Sequence, residues 1–208
     1  MREVYGPLNP KPVISNKTTT ICSGEAFTVT PLNNAPTEIV PNNILYTWTV
    51  LDNPDVTGET NGGPQASISQ VLTNITNTNQ FVVYTVTPVS GDVGNCTGPT
   101  FTITVTVNPK PLISAKTVLA CSNELFTTTI TNGSNGDIVP NGITYTWSAP
   151  IVTGNMTGGA AGNTALSVSG NLTNPTSVEQ TATYTISPSV PGSTTCTGQG
   201  FTVVATIK

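Results

Sequence analysis

Histidine is absent from this 208-residue chain, and charge of either sign is scarce. Six Lys and Arg stand against ten Asp and Glu, 8 % of the residues and a net charge of −4. Without an imidazole there is no His-based triad and no histidine general base or acid. Without a basic stripe nucleic acid is not an expected partner. No apolar run approaches the roughly 20 residues that span a bilayer as a helix. Met1-Arg2-Glu3-Val4-Tyr5 has no apolar core of the kind a secretory leader needs. No Gly-rich loop follows a strand and opens a helix, which removes phosphate cradles of the P-loop type. No 3.6-residue apolar period stands out either.

What is present is a duplication. Asn9-Pro10-Lys11-Pro12 returns as Asn108-Pro109-Lys110-Pro111. Cys22, Tyr46, Trp48, Tyr84, Cys96 and Phe101 return as Cys121, Tyr145, Trp147, Tyr184, Cys196 and Phe201, offset by 99 or 100 positions. A unit copied whole and joined without a spacer is a module of an array. The boundaries expected are a remnant of a preceding module over 1–8, a first repeat over 9–107 and a second over 108–208. Such a remnant and a break at Ile207-Lys208 are what a piece cut from a longer secreted protein is expected to carry. The Thr-, Asn- and Gly-rich composition and an even number of cysteines at repeated spacing suit an extracellular or cell-surface setting.

The dominant period is two. Phe101-Thr-Ile103-Thr-Val105-Thr-Val107 alternates without a fault, and segments 44–50 and 82–86 nearly so. Such strands place one face in a core and a Thr-rich face in water, where the β-branched side chain suits the pleat and the hydroxyl stays hydrated. Strands are expected near 12–15, 18–21, 25–31, 43–51, 66–71, 80–88 and 100–107. Their equivalents fall near 111–114, 117–120, 124–131, 142–149, 165–169, 180–187 and 200–207. Turn residues punctuate them, among them Asn42-Asn43, Gly62-Gly63-Pro64, Gly91-Asp92, Asn141-Gly142, Gly158-Gly159 and Pro191-Gly192. About seven short strands per hundred residues predict an all-β chain of two tandem immunoglobulin-like β-sandwiches. Only Asn108-Pro109-Lys110 separates them, and two prolines in four residues favour a stiff, extended joint.

Each repeat reads Cys…Trp…Cys, the order that marks a core-crossing disulfide beside a buried Trp in immunoglobulin domains. The expected pairs are Cys22 with Cys96 and Cys121 with Cys196, which treats the two copies alike. The second cysteine comes twelve residues after the strand Tyr, so this pairing requires the first strand to be short and the chain to double back before Cys22. With no Cys-x-x-Cys and no His, a metal site at these cysteines is not expected. Of the twelve aromatic residues, ten form repeated pairs in phase with the apolar face: Phe27/Phe126, Tyr46/Tyr145, Trp48/Trp147, Tyr84/Tyr184 and Phe101/Phe201. They are expected to be structural core, which leaves only Tyr5 and Phe81 for a sugar platform. Asp52, Asp55 and Glu59 could offer oxygen ligands to one structural Ca²⁺ in the first repeat, where the second has no acid over 149–158. No other cofactor is expected. Lys17 and Glu25 recur as Lys116 and Glu124. An isopeptide link from such a Lys to an Asn, assisted by the acid, competes with the plainer picture of a strand-flanking Lys with its head in solvent. No catalytic residue stands out.

Several fragments also resemble a known family. They are Ile21-Cys22-Ser23-Gly24, Tyr46-Thr47-Trp48, Leu72-Thr73-Asn74, Tyr84 through Pro88, Cys96-Thr97-Gly98 and Phe101 through Pro109. The second repeat matches at Ala120-Cys121-Ser122, Tyr145-Thr146-Trp147, Leu172-Thr173-Asn174, Tyr184 through Pro188 and Cys196-Thr197-Gly198. Their order resembles the PKD-like (polycystic-kidney-disease-like) tandem repeats of very large secreted Bacteroidota proteins. The resemblance implies type IX export and a part in cell adhesion, including adhesins that gliding cells move over their surface. The Trp-Asp-Phe-Gly-Asp-Gly signature of ordinary PKD domains is missing, since Trp48 is followed by Thr49-Val50-Leu51. The functional expectation is a non-catalytic, semi-rigid, disulfide-stabilised stalk whose partners are neighbouring repeats. Its rivals are a module that binds surface glycans or proteins through loops 52–63 and 150–162, and an accessory domain pair of a secreted hydrolase.

Overall fold

The computed structural model describes residues 10–91, 95–190 and 196–208. The segment 1–8, the turn at Asp92 and the turn at Pro191-Gly192 lie outside these. The chain divides into two compact units. One holds the residues up to Ile75 together with Asn79–Asn108, the other Thr76–Thr78 together with Pro109–Lys208. Strand dominates both, as the alternation predicts. Among the described residues the only helical element is the 3₁₀ turn Ser134–Gly136, and no helix is long and apolar enough to cross a membrane.

In the first unit the strands are β1 (Lys17–Cys22), β2 (Glu25–Val29), β3 (Leu45–Val50), β4 (Val56–Thr57), β5 (Gly62–Gln65), β6 (Ile68–Asn74), β7 (Gln80–Val89) and β8 (Phe101–Asn108). A five-stranded sheet runs β1-β8-β7-β3-β5 and a three-stranded sheet β2-β6-β4. The second unit has β9 (Lys116–Ala120), β10 (Leu125–Thr128), β11 (Thr144–Trp147), β12 (Ile151–Val152), β13 (Thr157–Gly158), β14 (Gly162–Ala165), β15 (Val168–Thr173), β16 (Gln180–Ser189) and β17 (Phe201–Ile207). Its sheets run β14-β11-β16-β17-β9 and β10-β15-β13, with β12 beside β16. These are two immunoglobulin-like sandwiches of one design. The short strands β4, β5, β12, β13 and β14 were not expected, because pieces of two to four residues are too short to show an apolar alternation. The strands expected at 12–15 and 111–114 reduce to single bridges, Val13 to Ile39 and Leu112 to Ile138.

Each core is the in-phase half of the alternating strands. In β8 Phe101, Ile103, Val105 and Val107 are buried while the Thr residues between them are partly exposed. Around them lie Phe27, Tyr46, Trp48, Ile68, Leu72, Val82, Tyr84 and Val86. The second core repeats this with Phe126, Tyr145, Trp147, Val168, Leu172, Tyr184, Ile186, Phe201, Val203 and Ile207. The cross-strand pair Val82 and Val105 becomes Ala182 and Ala205. The same cluster carries Met156 where the first has Val56, a longer and more adaptable side chain in the smaller-residue core.

The direction of one strand decides the rest. β1 pairs with β8 in parallel, from Lys17 opposite Ile103 to Cys22 opposite Asn108. β9 pairs with β17 in the same sense, ending with Ala120 opposite Ile207.

Candidate functional site

Three clusters of polar or reactive side chains were open to a functional reading. The first joins the segment before the first strand to a later loop. In the second unit the Ser114 backbone N–H and hydroxyl each donate to Asp137 Oδ1 at 2.8 Å, and Lys116 Nζ donates to Ser114 Oγ at 2.9 Å. Lys116 also pairs directly with Asp137 Oδ2, the two side chains being 12 % and 1 % exposed. In the first unit Lys17, Ser15 and Glu38 repeat the arrangement, with Lys17 Nζ donating to Ser15 Oγ at 3.1 Å and pairing with the Glu38 carboxylate. Burial pushes the Asp137 carboxyl up, but the Lys116 ammonium and the two Ser114 donors outweigh it and hold the group below its ordinary value. Lys17 and Ser15 likewise hold Glu38 down. In each unit the Ser hydroxyl and the Lys ammonium are both engaged by the same carboxylate. The cluster is a latch between loops.

This replaces the picture of solvent-directed lysines. Lys17 and Lys116 are turned inward, and the acid beside each is Glu38 or Asp137, not Glu25 or Glu124. Glu25 instead accepts the Cys22 backbone N–H at 3.2 Å, across the turn that follows β1. The signal was in the duplication, since Glu38-Ile39-Val40-Pro41 returns as Asp137-Ile138-Val139-Pro140.

The cysteines form the second set. Cys22 and Cys196 are disulfide-bonded, while Cys96 and Cys121 are free thiols. The pairing of Cys22 with Cys96 and of Cys121 with Cys196 therefore does not form. The reason is the parallel course of β1. It carries Cys22 to the Asn108 end of β8, whereas Cys96 precedes the Phe101 end, where the Thr97 segment bridges Val89. The seven residue steps of β8 between those ends amount to roughly 23 Å at strand rise, several times the Cα separation a disulfide tolerates. The second unit repeats this. Ser122 donates its N–H to the Lys208 carbonyl at 2.9 Å, at the far end of β17 from the Cys196 segment.

The third set is the carboxylate loop. The Asn53 N–H donates to Glu59 Oε1 at 3.1 Å and the Asp55 N–H to Asn53 Oδ1 at 3.0 Å. Among the described residues no three acidic, Cys or His side chains converge as a metal would require. Glu59 caps its own loop through its bond to the Asn53 N–H.

The aromatic side chains are occupied inside the modules. Trp48 is 5 % exposed and Trp147 7 %. Their indole N–H groups donate to the Thr60 and Ala160 carbonyls, at 3.0 and 3.2 Å. Each ring lies flat on a glycine, since a Cβ at Gly62 or Gly162 would fall 2.5 or 2.2 Å from the indole Cζ2. Phe27 tilts against Tyr84 at 5.2 Å between ring centres, and Tyr46 meets Phe101 edge-on at 6.2 Å. Tyr145–Phe201 repeats the edge-on contact, and Phe126 meets Tyr184 more nearly edge-on than Phe27 meets Tyr84. Beside Trp147 an open depression is lined by Gly158, Gly159, Ala160, Ser169 and Asn171. It lies against loop 150–162, whose sequence differs from that of loop 52–63, and its lining offers no exposed ring for stacking.

No curated protein matches the chain in sequence. Among solved structures, chicken CNTN1 FN1–FN3 domains align with 97 % of this chain and 68 % of their own, at 11 % identity and a TM-score of 0.37. Sidekick-1 immunoglobulin domains 1–4 align with 95 % of this chain and 50 % of theirs, at 16 % identity and a TM-score of 0.29. A sialyltransferase from Photobacterium damsela aligns with 52 % of this chain and 20 % of its own, at 13 % identity and a TM-score of 0.31. The chain thus spans only a part of each. The sequence profile described as PKD-like domain matches twice, over residues 15–111 and 117–208, and the chain belongs to the PKD-like domain family as a tandem pair.

Proposed function

We propose that these two modules are a non-catalytic, semi-rigid spacer of a large bacterial cell-surface or secreted adhesin, of the kind that Bacteroidota export by the type IX route. The observation that carries the reading is that the paired rings and the recurring lysines of each module are spent on its own interior. The paired rings are buried, and the lysines at 17 and 116 are clamped by acids. The bonded state of Cys22 and Cys196 suits an oxidising, extracellular setting. The short Asn108-Pro109-Lys110-Pro111 joint suits a stalk that transmits force without folding back.

Small-angle scattering on the whole chain tests this. Two sandwiches in series give a particle roughly 70–80 Å long, from strands of eight to ten residues and their loops. Inserting four glycines between Asn108 and Pro109 then broadens the distance distribution. A compact particle indifferent to the insertion overturns the spacer.

The depression beside Trp147 favours one second reading, a module that takes a surface glycan or protein through loop 150–162. Reproducible glycan-array binding that is lost when that loop is exchanged for residues 52–63 would establish it in place of the spacer.

A further inference from the structure

The depression beside Trp147 has a counterpart in the first unit, and there it is filled. The first unit carries Glu59, Thr60, Asn61 and Gln70 where the second carries Gly159, Ala160, Ala161 and Gly170. The backbone fixes this match. Trp48 and Trp147 donate to the carbonyls of residues 60 and 160. A Cβ at Gly58 would meet the Val71 carbonyl, and one at Gly158 the Asn171 carbonyl. In the first unit the Gln70 carboxamide closes the place. Its Oε1 accepts the Tyr84 hydroxyl at 2.7 Å and the Thr60 N–H at 3.1 Å. Its Nε2 donates to the Thr60 carbonyl at 2.6 Å and to Thr60 Oγ1 at 2.8 Å. Asn61 and Glu59 accept the N–H groups of Val50 and Asn53 beside it.

In the second unit all four side chains are cut back to a methyl or to nothing, while the groups that would hold an amide remain. Tyr184 is fully buried, and among the described residues its hydroxyl has no partner. That hydroxyl lies against Gly170, a residue of the depression's wall, 2.6 Å from where a Cβ would stand. Ala160, whose N–H and carbonyl correspond to the Thr60 groups that hold Gln70, belongs to the same wall and is exposed. A buried hydroxyl left alone beside an emptied amide seat calls for a partner from outside the module.

We propose that the second module binds the acetamido group of an N-acetylated amino sugar in this depression, in the seat that Gln70 fills in the first. The acetyl carbonyl accepts from the Tyr184 hydroxyl and the Ala160 N–H, and the amide N–H donates to the Ala160 carbonyl. A secondary amide is preferred to a primary one, because Ala160 lacks the hydroxyl that takes the second Gln70 proton and a second N–H would be desolvated without an acceptor. The substituent on the carbonyl must be small. The seat ends on Tyr184 and Phe126, since a Cβ at Gly170 would already stand 3.0 Å from the Phe126 ring. A methyl group ends there, whereas a continuing peptide chain has no way on. At the open side Ser169 and the exposed Asn171 give a polar rim, which suits sugar hydroxyls better than the hydrocarbon stem of an acetylated lysine. The proposal rests on the reading of loop 150–162 as a ligand surface and adds to it the group that is recognised.

Saturation-transfer NMR on the whole chain tests this. The probes are the methyl β-glycosides of N-acetylglucosamine and N-acetylgalactosamine. Methyl β-glucoside and methyl β-galactoside serve as controls without the acetamido group, and N-acetyl-lysine methylamide as the peptide counterpart. At least one amino sugar is expected to bind with a dissociation constant on the order of 1 mM, with saturation strongest at the acetyl methyl and none in the controls. Tyr184→Phe is expected to weaken binding about tenfold while the midpoint of thermal unfolding does not fall, so that lost binding is not lost fold. Gly170→Gln with Ala160→Thr rebuilds the first unit's seat and is expected to abolish binding. Four results would each overturn the proposal: undiminished binding in Tyr184→Phe, equal binding of the controls, preference for the acetylated lysine, or no saturation of either amino sugar at about 20 mM. Glycan binding that survives Tyr184→Phe but is lost when loop 150–162 is exchanged for residues 52–63 would keep the ligand surface and remove the acetamido seat.

Discussion

Replacing Tyr84 and Tyr184 by phenylalanine moves stability in opposite directions. The two tyrosines occupy matching places in β7 and β16, fully buried and packed on Phe27 and Phe126. Their hydroxyls differ in company. Tyr84 donates to Gln70 Oε1 at 2.7 Å. Position 170 holds glycine, where a Cβ would stand 2.6 Å from the Tyr184 hydroxyl, and among the described residues that hydroxyl has no partner. Tyr84→Phe therefore loses one hydrogen bond, a net cost of about 1 kcal/mol. Gln70 is not stranded by it, since Oε1 still accepts the Thr60 N–H at 3.1 Å. Tyr184→Phe removes a buried hydroxyl that carries a desolvation penalty of about 1–3 kcal/mol, less the contacts the oxygen makes, a gain of about 1 kcal/mol. For a module of this size a change of that order shifts the midpoint of thermal unfolding by about 4–8 °C. Calorimetry on the whole chain, with each variant compared with wild type, reads both signs. Equal losses in the two variants, or a larger loss for Tyr184→Phe, would refute the account of the Gln70/Gly170 difference.

Gly62→Ala and Gly162→Ala drive a methyl into the indole faces of Trp48 and Trp147; each should cost about 1–3 kcal/mol by overpacking and shift tryptophan fluorescence to the red, read by urea unfolding. Asp137→Ala leaves the Lys116 ammonium buried and unpaired and should cost about 3 kcal/mol, with a smaller loss for Glu38→Ala, whose pair is more exposed. Because Asp137 is held below its ordinary value, that contribution is present above the unfolded carboxylate pKa and is lost as pH falls through the folded one, so Asp137→Asn should flatten the acid limb of a stability–pH curve. Burial, with smaller help from Glu38 and Asp137, pushes the Tyr46 and Tyr145 hydroxyls up to about 12. Their neutral forms favour the fold, so stability holds below pH 10 and falls as pH rises from 10 toward 12, with tyrosinate absorbance at 295 nm rising together with unfolding.

The strands were legible wherever burial alternates. Segments 44–50, 82–86 and 101–107 name their own inner face, because a two-residue period leaves each side chain only one choice of side. The latch was harder to read, because Glu38 is matched by Asp137 and not by an identical residue, and because 21 positions separate each acid from its lysine. The Trp48 seat on Gly62 was hidden for a different reason: a glycine between turn residues gives no sign of which ring will rest on it.

By itself the sequence determined the duplication, the fold class and the identity of the buried rings, because those follow from local spacing and from the demand that apolar faces leave water. Tertiary structure alone decided the fate of the four cysteines. Whether β1 runs with β8 or against it inverts the end of the module at which Cys22 arrives. Both directions bury the same alternating residues, so hydrophobic pattern does not distinguish them; long-range strand pairing does.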